Sequence, residues 1–132
     1  KRERSFCAYG RQVARRITGQ AEDCMIDVKS FAAARRFDPA KMQKVALFES
    51  DRFFCDVYCL LPGQEQKPHA HEGSDKVYAV LEGTVEVRVG SETRSVSQGE
   101  AALAPAGKEH GVANRSGSPA ALLVFLAPRP TH

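Results

Sequence analysis

Gly63-Gln64-Glu65-Gln66-Lys67-Pro68-His69-Ala70-His71 is the stretch on which the reading of this chain turns. It spaces a glycine and two histidines as G-x5-H-x-H, and Gly83 closes the block. A second block reads G-x5-P-x-G-x2-H-x3-N through Gly99, Pro105, Gly107, His110 and Asn114. Two separate segments thus offer three imidazoles, the side chain best suited to first-row transition metals at neutral pH. Alternate residues of a strand point to one face, so His69 and His71 can share an interior. His110 must arrive from another strand to complete the triangle. This pattern predicts one divalent transition metal (Zn, Fe, Mn, Ni or Cu) held by His69, His71 and His110.

The flanking sequence is rich in strands. Val85, Val87 and Val89 alternate with Thr84, Glu86 and Arg88, as a half-buried strand requires. Lys76 to Glu82 alternates as well and ends at Gly83. The runs 44–48 and 53–61 flank the polar turn Glu49-Ser50-Asp51-Arg52 and predict a hairpin. Residues 93–96, 101–104 and 120–127 complete the expected strands. Short strands punctuated by Gly and Pro argue for an all-β sandwich or small barrel. Two short helical elements are expected before it, one over 31–34 capped by Ser30 and one starting at Asp38-Pro39.

Composition narrows the function classes. The chain has 132 residues, enough for one domain with its own core. Its net charge of +3 lies wholly in residues 1–24, since 25–132 carries thirteen charged residues of each sign. A neutral main domain offers no electrostatic footprint for a phosphate backbone, so no nucleic-acid partner is expected. No apolar run approaches the roughly 20 residues of a membrane span, and no cleavable leader is visible. A cytoplasmic protein without a membrane partner is expected. Cys55 and Cys59 share a strand face about 13 Å apart, too far for a disulfide. Both are expected to be free thiols in the core.

Residues 1–24 are basic and weakly patterned, and are followed by Met25-Ile26-Asp27-Val28. The expectation is a tail at 1–24, disordered or dispensable, or else a docked dimer arm or an organellar presequence remnant, and a single domain at 25–132. Met25 is a candidate natural start. The chain opens on Lys1, which implies sequence upstream.

With these residues in hand, 53–127 resembles a cupin. The family's motifs are G-x5-H-x-H-x3,4-E-x6-G and G-x5-P-x-G-x2-H-x3-N. The second is matched in full, and the first at Gly63, His69, His71 and Gly83. The resemblance implies a six-stranded barrel or double-stranded β-helix of jelly-roll type, with the metal inside. It also implies a homodimer that pairs sheet edges or exchanges an N-terminal strand.

One position departs from the family. Lys76 stands where the family carries a metal-binding glutamate. An ammonium beside a divalent ion is repelled unless it is neutralised or turned away. Asp75 is the neighbouring carboxylate, but a shift of one residue flips a strand side chain to the other face. Asp75 becomes a ligand only through a bulge or a late strand start, so a three-histidine site with open positions is the expectation. For Lys76 the reading is snorkelling from the barrel mouth, with binding of a substrate carboxylate as the functional alternative. Tyr58 and Tyr78 are the further candidates for contact with substrate, each with an ordinary core role as its alternative. Asn114 is expected to bond backbone in a turn, and Glu109 to be solvated.

Two function classes follow. The first is a metal-dependent enzyme on a small polar or acidic metabolite, of the dioxygenase, isomerase, decarboxylase or lyase class that the resemblance implies. The second is a non-catalytic barrel that binds or senses a small ligand. A metal-free structural barrel is a third. Fold does not choose among them, because function lives in the site. No general base stands out in the sequence.

Overall fold

The computed structural model describes residues 25–130, so the expectations for 1–24 and for the terminal His132 lie outside the described residues. The chain divides into two compact units at Ser30/Phe31. In the described part of the first unit, 25–30 forms no helix or strand, and Lys29 Nζ pairs with Asp27 at 2.9 Å. The second unit carries one short helix, α1 (Phe31–Ala34), and nine strands. These are β1 (Gln43–Glu49), β2 (Phe54–Leu60), β3 (Glu65–His69), β4 (Asp75–Glu82), β5 (Thr84–Val89), β6 (Glu92–Ser97), β7 (Ala101–Ala104), β8 (His110–Ala113) and β9 (Ala120–Ala127).

They form a five-stranded sheet in the order β1-β2-β9-β4-β7 and a four-stranded sheet in the order β3-β8-β5-β6. Every pairing is antiparallel. The period of two decides what each sheet buries. From β2 and β4, Tyr58, Leu60, Tyr78 and Val80 meet Val85, Val87, Val96 and Val112 of the opposite sheet in the main core. Each such side chain contributes about 1.5–3 kcal/mol by leaving water. The other face of β2 sends Val57 and Cys59 into a second cluster with Leu47, against which Ala34 and Phe37 pack. Cys55 and Cys59 are free thiols, and Cys59 is buried.

The jelly roll is the fold expected, with nine strands where the resemblance implied six. Two of them, β3 and β8, escaped the periodicity argument. The first is polar and broken by Pro68, where its register with β8 shifts, and the second is only four residues long. Helix α1 forms where expected. At Asp38-Pro39 the chain makes a turn instead, in which the Ala40 amide donates to Asp38 Oδ1 at 2.7 Å. The side chain closes an Asx turn, and β1 begins at Gln43, too soon for a helix to develop. Gly83 joins β4 to β5 at φ +82°, and a Cβ there would lie 2.6 Å from the Pro119 carbonyl oxygen. Both the backbone and the space demand glycine. Among the described residues no helix is long and apolar enough to cross a membrane.

Candidate metal centre

His69 ends β3 and His110 begins β8, and the two are direct partners across the antiparallel pair. His71 follows two residues beyond His69. Its position is fixed by the second motif, because the Gly107 amide donates to the His71 carbonyl at 2.9 Å. Gly107 can bend there because it adopts φ +82°. The nearest-approach nitrogens of the three rings all lie within 4.8 Å of one another. One ion with bonds of about 2.1 Å can gather such a set after small ring rotations.

The local backbone also fixes the tautomers. His69 Nδ1 lies 3.0 Å from the Lys67 carbonyl oxygen, and His110 Nδ1 lies 3.0 Å from that of Lys108. A carbonyl only accepts, so each Nδ1 carries the proton and each Nε2 keeps the lone pair. His110 is 1% exposed, and its Nε2 is buried without a partner. A buried acceptor of this kind is costly unless something fills it. Burial above all, then the charge of Lys76 and the neighbouring imidazoles, pushes His110 down to about 4 despite its bond to Lys108. Burial is also the largest cause of the lowered His69. Both rings are therefore neutral at pH 7, the form that binds metal. Three converging imidazoles, one with an orphaned, inward nitrogen, fit a divalent transition metal.

The position that departs from the family pattern is resolved differently from expectation. Lys76 does not snorkel. It is 2% exposed, and its Nζ lies 5.2 Å from the ring centroids of both Tyr58 and Tyr78. It shares the inward parity of Tyr78 and Val80 in β4, so the strand register carries it into the barrel. Its hydrogen bond goes to a neutral amide, Gln66 Oε1, at 3.1 Å. Burial, then the charge of Lys44, lowers Lys76 to about 7, with Asp56 opposing. Asp75 points the other way. It is exposed, and its Oδ1 accepts the Ala106 amide at 2.8 Å, which ties the 105–108 loop to β4. Asp75 is outside the metal-binding group. It braces the loop that places His71.

A cavity of about 430 Å³ opens beside the histidines. His69, His71, Lys76 and Tyr58 line it, together with Lys44, Asp56 and Gln66 and the apolar Phe54, Val124, Leu126 and Pro130. Tyr78 lies behind this wall, fully buried, with its hydroxyl unpartnered and its ring 6.3 Å from that of His110. Burial raises the phenol of Tyr58 to about 12, although Gln66 Nε2 donates to it at 3.5 Å. A larger hollow of about 550 Å³ lies along β5, β6 and β7 and carries no histidine.

Lys44, Asp56 and Gln66 are cavity residues that the sequence reading missed. Asp56 was within reach of the alternation argument, since it shares the parity of Tyr58 in β2. Burial, more than the opposing charge of Lys44, raises its carboxyl above the ordinary range. It is the titratable carboxyl absent from the sequence reading. Asn114 behaves as expected, since its Nδ2 donates to the carbonyls of Leu60 and Ser118.

The family model for the cupin domain matches residues 56–126. This chain is a cupin. The cupin resembles protein TT1209 from Thermus thermophilus, at 55% identity and a TM-score of 0.78 over 80% of this chain and 100% of that one. A protein with a double-stranded β-helix domain from Klebsiella pneumoniae shares 24% identity at a TM-score of 0.72, over 76% of this chain and 89% of its own. Tetracenomycin polyketide synthase protein TcmJ of Streptomyces glaucescens is 36% identical over 74 residues, 54% of this chain. The match spans half the length of TcmJ.

Proposed function

We propose that this cupin is a metal-dependent enzyme acting on a small polar or acidic metabolite in the barrel. Its reaction belongs to the dioxygenase, isomerase, decarboxylase or lyase class. The observation that carries the reading is the convergence of three imidazoles, one with an orphaned buried Nε2, beside a cavity lined by two of them and by a buried lysine. When bound, a first-row ion supplies Lewis acidity and open coordination positions, with redox capacity if it is iron or copper.

The chain's own groups divide the remaining work. His69, His71 and His110 hold the ion. Lys76 donates to a substrate carboxylate or enolate oxygen. Asp56, with its raised carboxyl, takes and returns a proton at a carbon or hydroxyl of the bound substrate. Tyr58 donates a hydrogen bond from its phenol, which stays protonated. Phe54, Val124 and Leu126 exclude water from one wall. A cytoplasmic location belongs to the same reading, supported by the free thiols Cys55 and Cys59. So does a homodimer, supported by the exposed Leu103 and Phe125 and checked by sedimentation equilibrium.

The test is elemental analysis of protein purified without a nickel column, beside a His110→Ala control. The expected result is about one Fe, Cu, Mn, Ni or Zn per chain, lost in the variant. Less than about a tenth of an equivalent, not restored by added metals, overturns the reading. A full equivalent of metal without turnover of any small acid or carbonyl compound favours the binding or sensing barrel.

A further inference from the structure

The cavity is lopsided in charge. Lys44 and Lys76 line it against one carboxylate, Asp56, and the three metal-facing donors are imidazoles, which carry no negative charge. Lys76 is the buried member, and the hydrogen bond it makes is to the uncharged Gln66 amide. A buried ammonium with no carboxylate hydrogen-bonded to it is costly, and a divalent ion brought into the same cavity raises that cost. The three histidines bring no negative charge to relieve it.

We propose that metal and a small organic anion bind this cavity cooperatively, with Lys76 as the residue that makes each depend on the other. The inference rests on the metal reading above. The anion is a carboxylate or enolate with a second oxygen, such as a 2-hydroxy or 2-oxo acid. One oxygen group answers the ion and the other accepts from Lys76 Nζ. Its negative charge lowers the repulsion between the two cations, so the anion tightens the metal. Linkage then requires the metal to tighten the anion by the same factor. The surroundings favour this over a loose counter-ion. The rings of Tyr58 and Tyr78 hold Nζ between them, and Gln66 bonds both Nζ and the Tyr58 phenol, so the donor is fixed before any ligand arrives.

The experiment titrates the metal-stripped full chain with Co²⁺, followed by its visible absorption, alone and with glycolate too dilute to complex cobalt in solution. Glycolamide, similar in shape but uncharged, is the control. The expected outcome is Co²⁺ affinity tightened at least about tenfold by glycolate and unchanged by glycolamide, with glycolate affinity raised equally by Co²⁺. Lys76→Glu is expected to bind Co²⁺ tightly without anion and to lose the glycolate effect. The wild-type comparison stands by itself if that variant fails to fold, which circular dichroism reports. Co²⁺ binding that glycolate leaves within about twofold, or that glycolamide enhances equally, overturns the coupling while leaving the metal site intact. A folded chain that binds no Co²⁺ under any condition overturns the metal reading itself.

Discussion

Two buried polar clusters of this barrel have opposite characters. Around Asn114, which is 0% exposed, every polar group is answered. Nδ2 donates to Leu60 and Ser118, Oδ1 accepts from the amide and hydroxyl of Ser116, and the backbone bonds Gly63 and Gln64. Around Lys76, buried to a similar degree, the groups are left short. The lysine has a neutral partner, and His110 Nε2 and the Tyr78 hydroxyl have none. A satisfied polar network holds a fold together, whereas a persistent set of unsatisfied groups marks a place shaped for something else. The second motif spans both, since His110 and Asn114 lie four residues apart. One end of the motif serves the site and the other serves the barrel.

Substitutions at the two clusters should move stability in opposite directions. Asn114→Ala removes the buried donor to the Leu60 carbonyl and the acceptor of the Ser116 amide, and should cost about 3–5 kcal/mol in urea unfolding. A loss below about 1 kcal/mol would remove the contrast. Lys76→Met should instead stabilise the metal-free protein by about 1–4 kcal/mol at neutral pH, because it removes a buried charge whose hydrogen-bond partner is a neutral amide.

The pH dependence of that gain sharpens the comparison. Lys76 is lowered to about 7 in the folded chain, from about 10.4 when unfolded. Above the unfolded value the amine is neutral in both states and costs nothing. As pH falls toward 7 the unfolded chain takes up a proton that the folded chain resists, so stability declines across that window. The advantage of Lys76→Met should therefore grow from pH 10 to pH 7, and a flat difference in thermal melts would contradict the buried, depressed lysine.

Asp75→Ala tests a satisfied bond outside the core. Loss of the Ala106 contact should cost about 0.5–1.5 kcal/mol and loosen the loop that holds His71. Hydrogen exchange at the Gly107 amide, which donates to His71, reads that loosening directly. The smallest change is expected at Tyr78→Phe. Its hydroxyl has no bond to lose, so calorimetry should find stability within about 0.5 kcal/mol of the parent, or higher.

By itself the sequence determined what depends on local period and spacing. Alternation placed Tyr78 and Val80 inside and set the three valines of β5 against the core. The glycines at 83 and 99 marked tight turns, and both have positive φ in the structure. The interval from Gly99 to Asn114 named the third histidine, and the spacing of Cys55 and Cys59 excluded their disulfide. Where the period was too short or too polar to read, in β3 and β8, the strands' bounds were not legible, although the histidine spacing put His69 on one strand and His110 on another, and those strands pair the two. Only the tertiary structure decided what each inward residue would meet. It buried Lys76 between two tyrosines, turned Asp75 to the 105–108 loop, and brought Asp56 and Lys44 from β2 and β1 to the histidines. These outcomes depend on strands distant in sequence, because charge and hydrogen bonding inside a barrel are settled by what the opposite wall supplies. A strand pattern states which way a side chain faces, and only the packed sheets state whether a partner is waiting there.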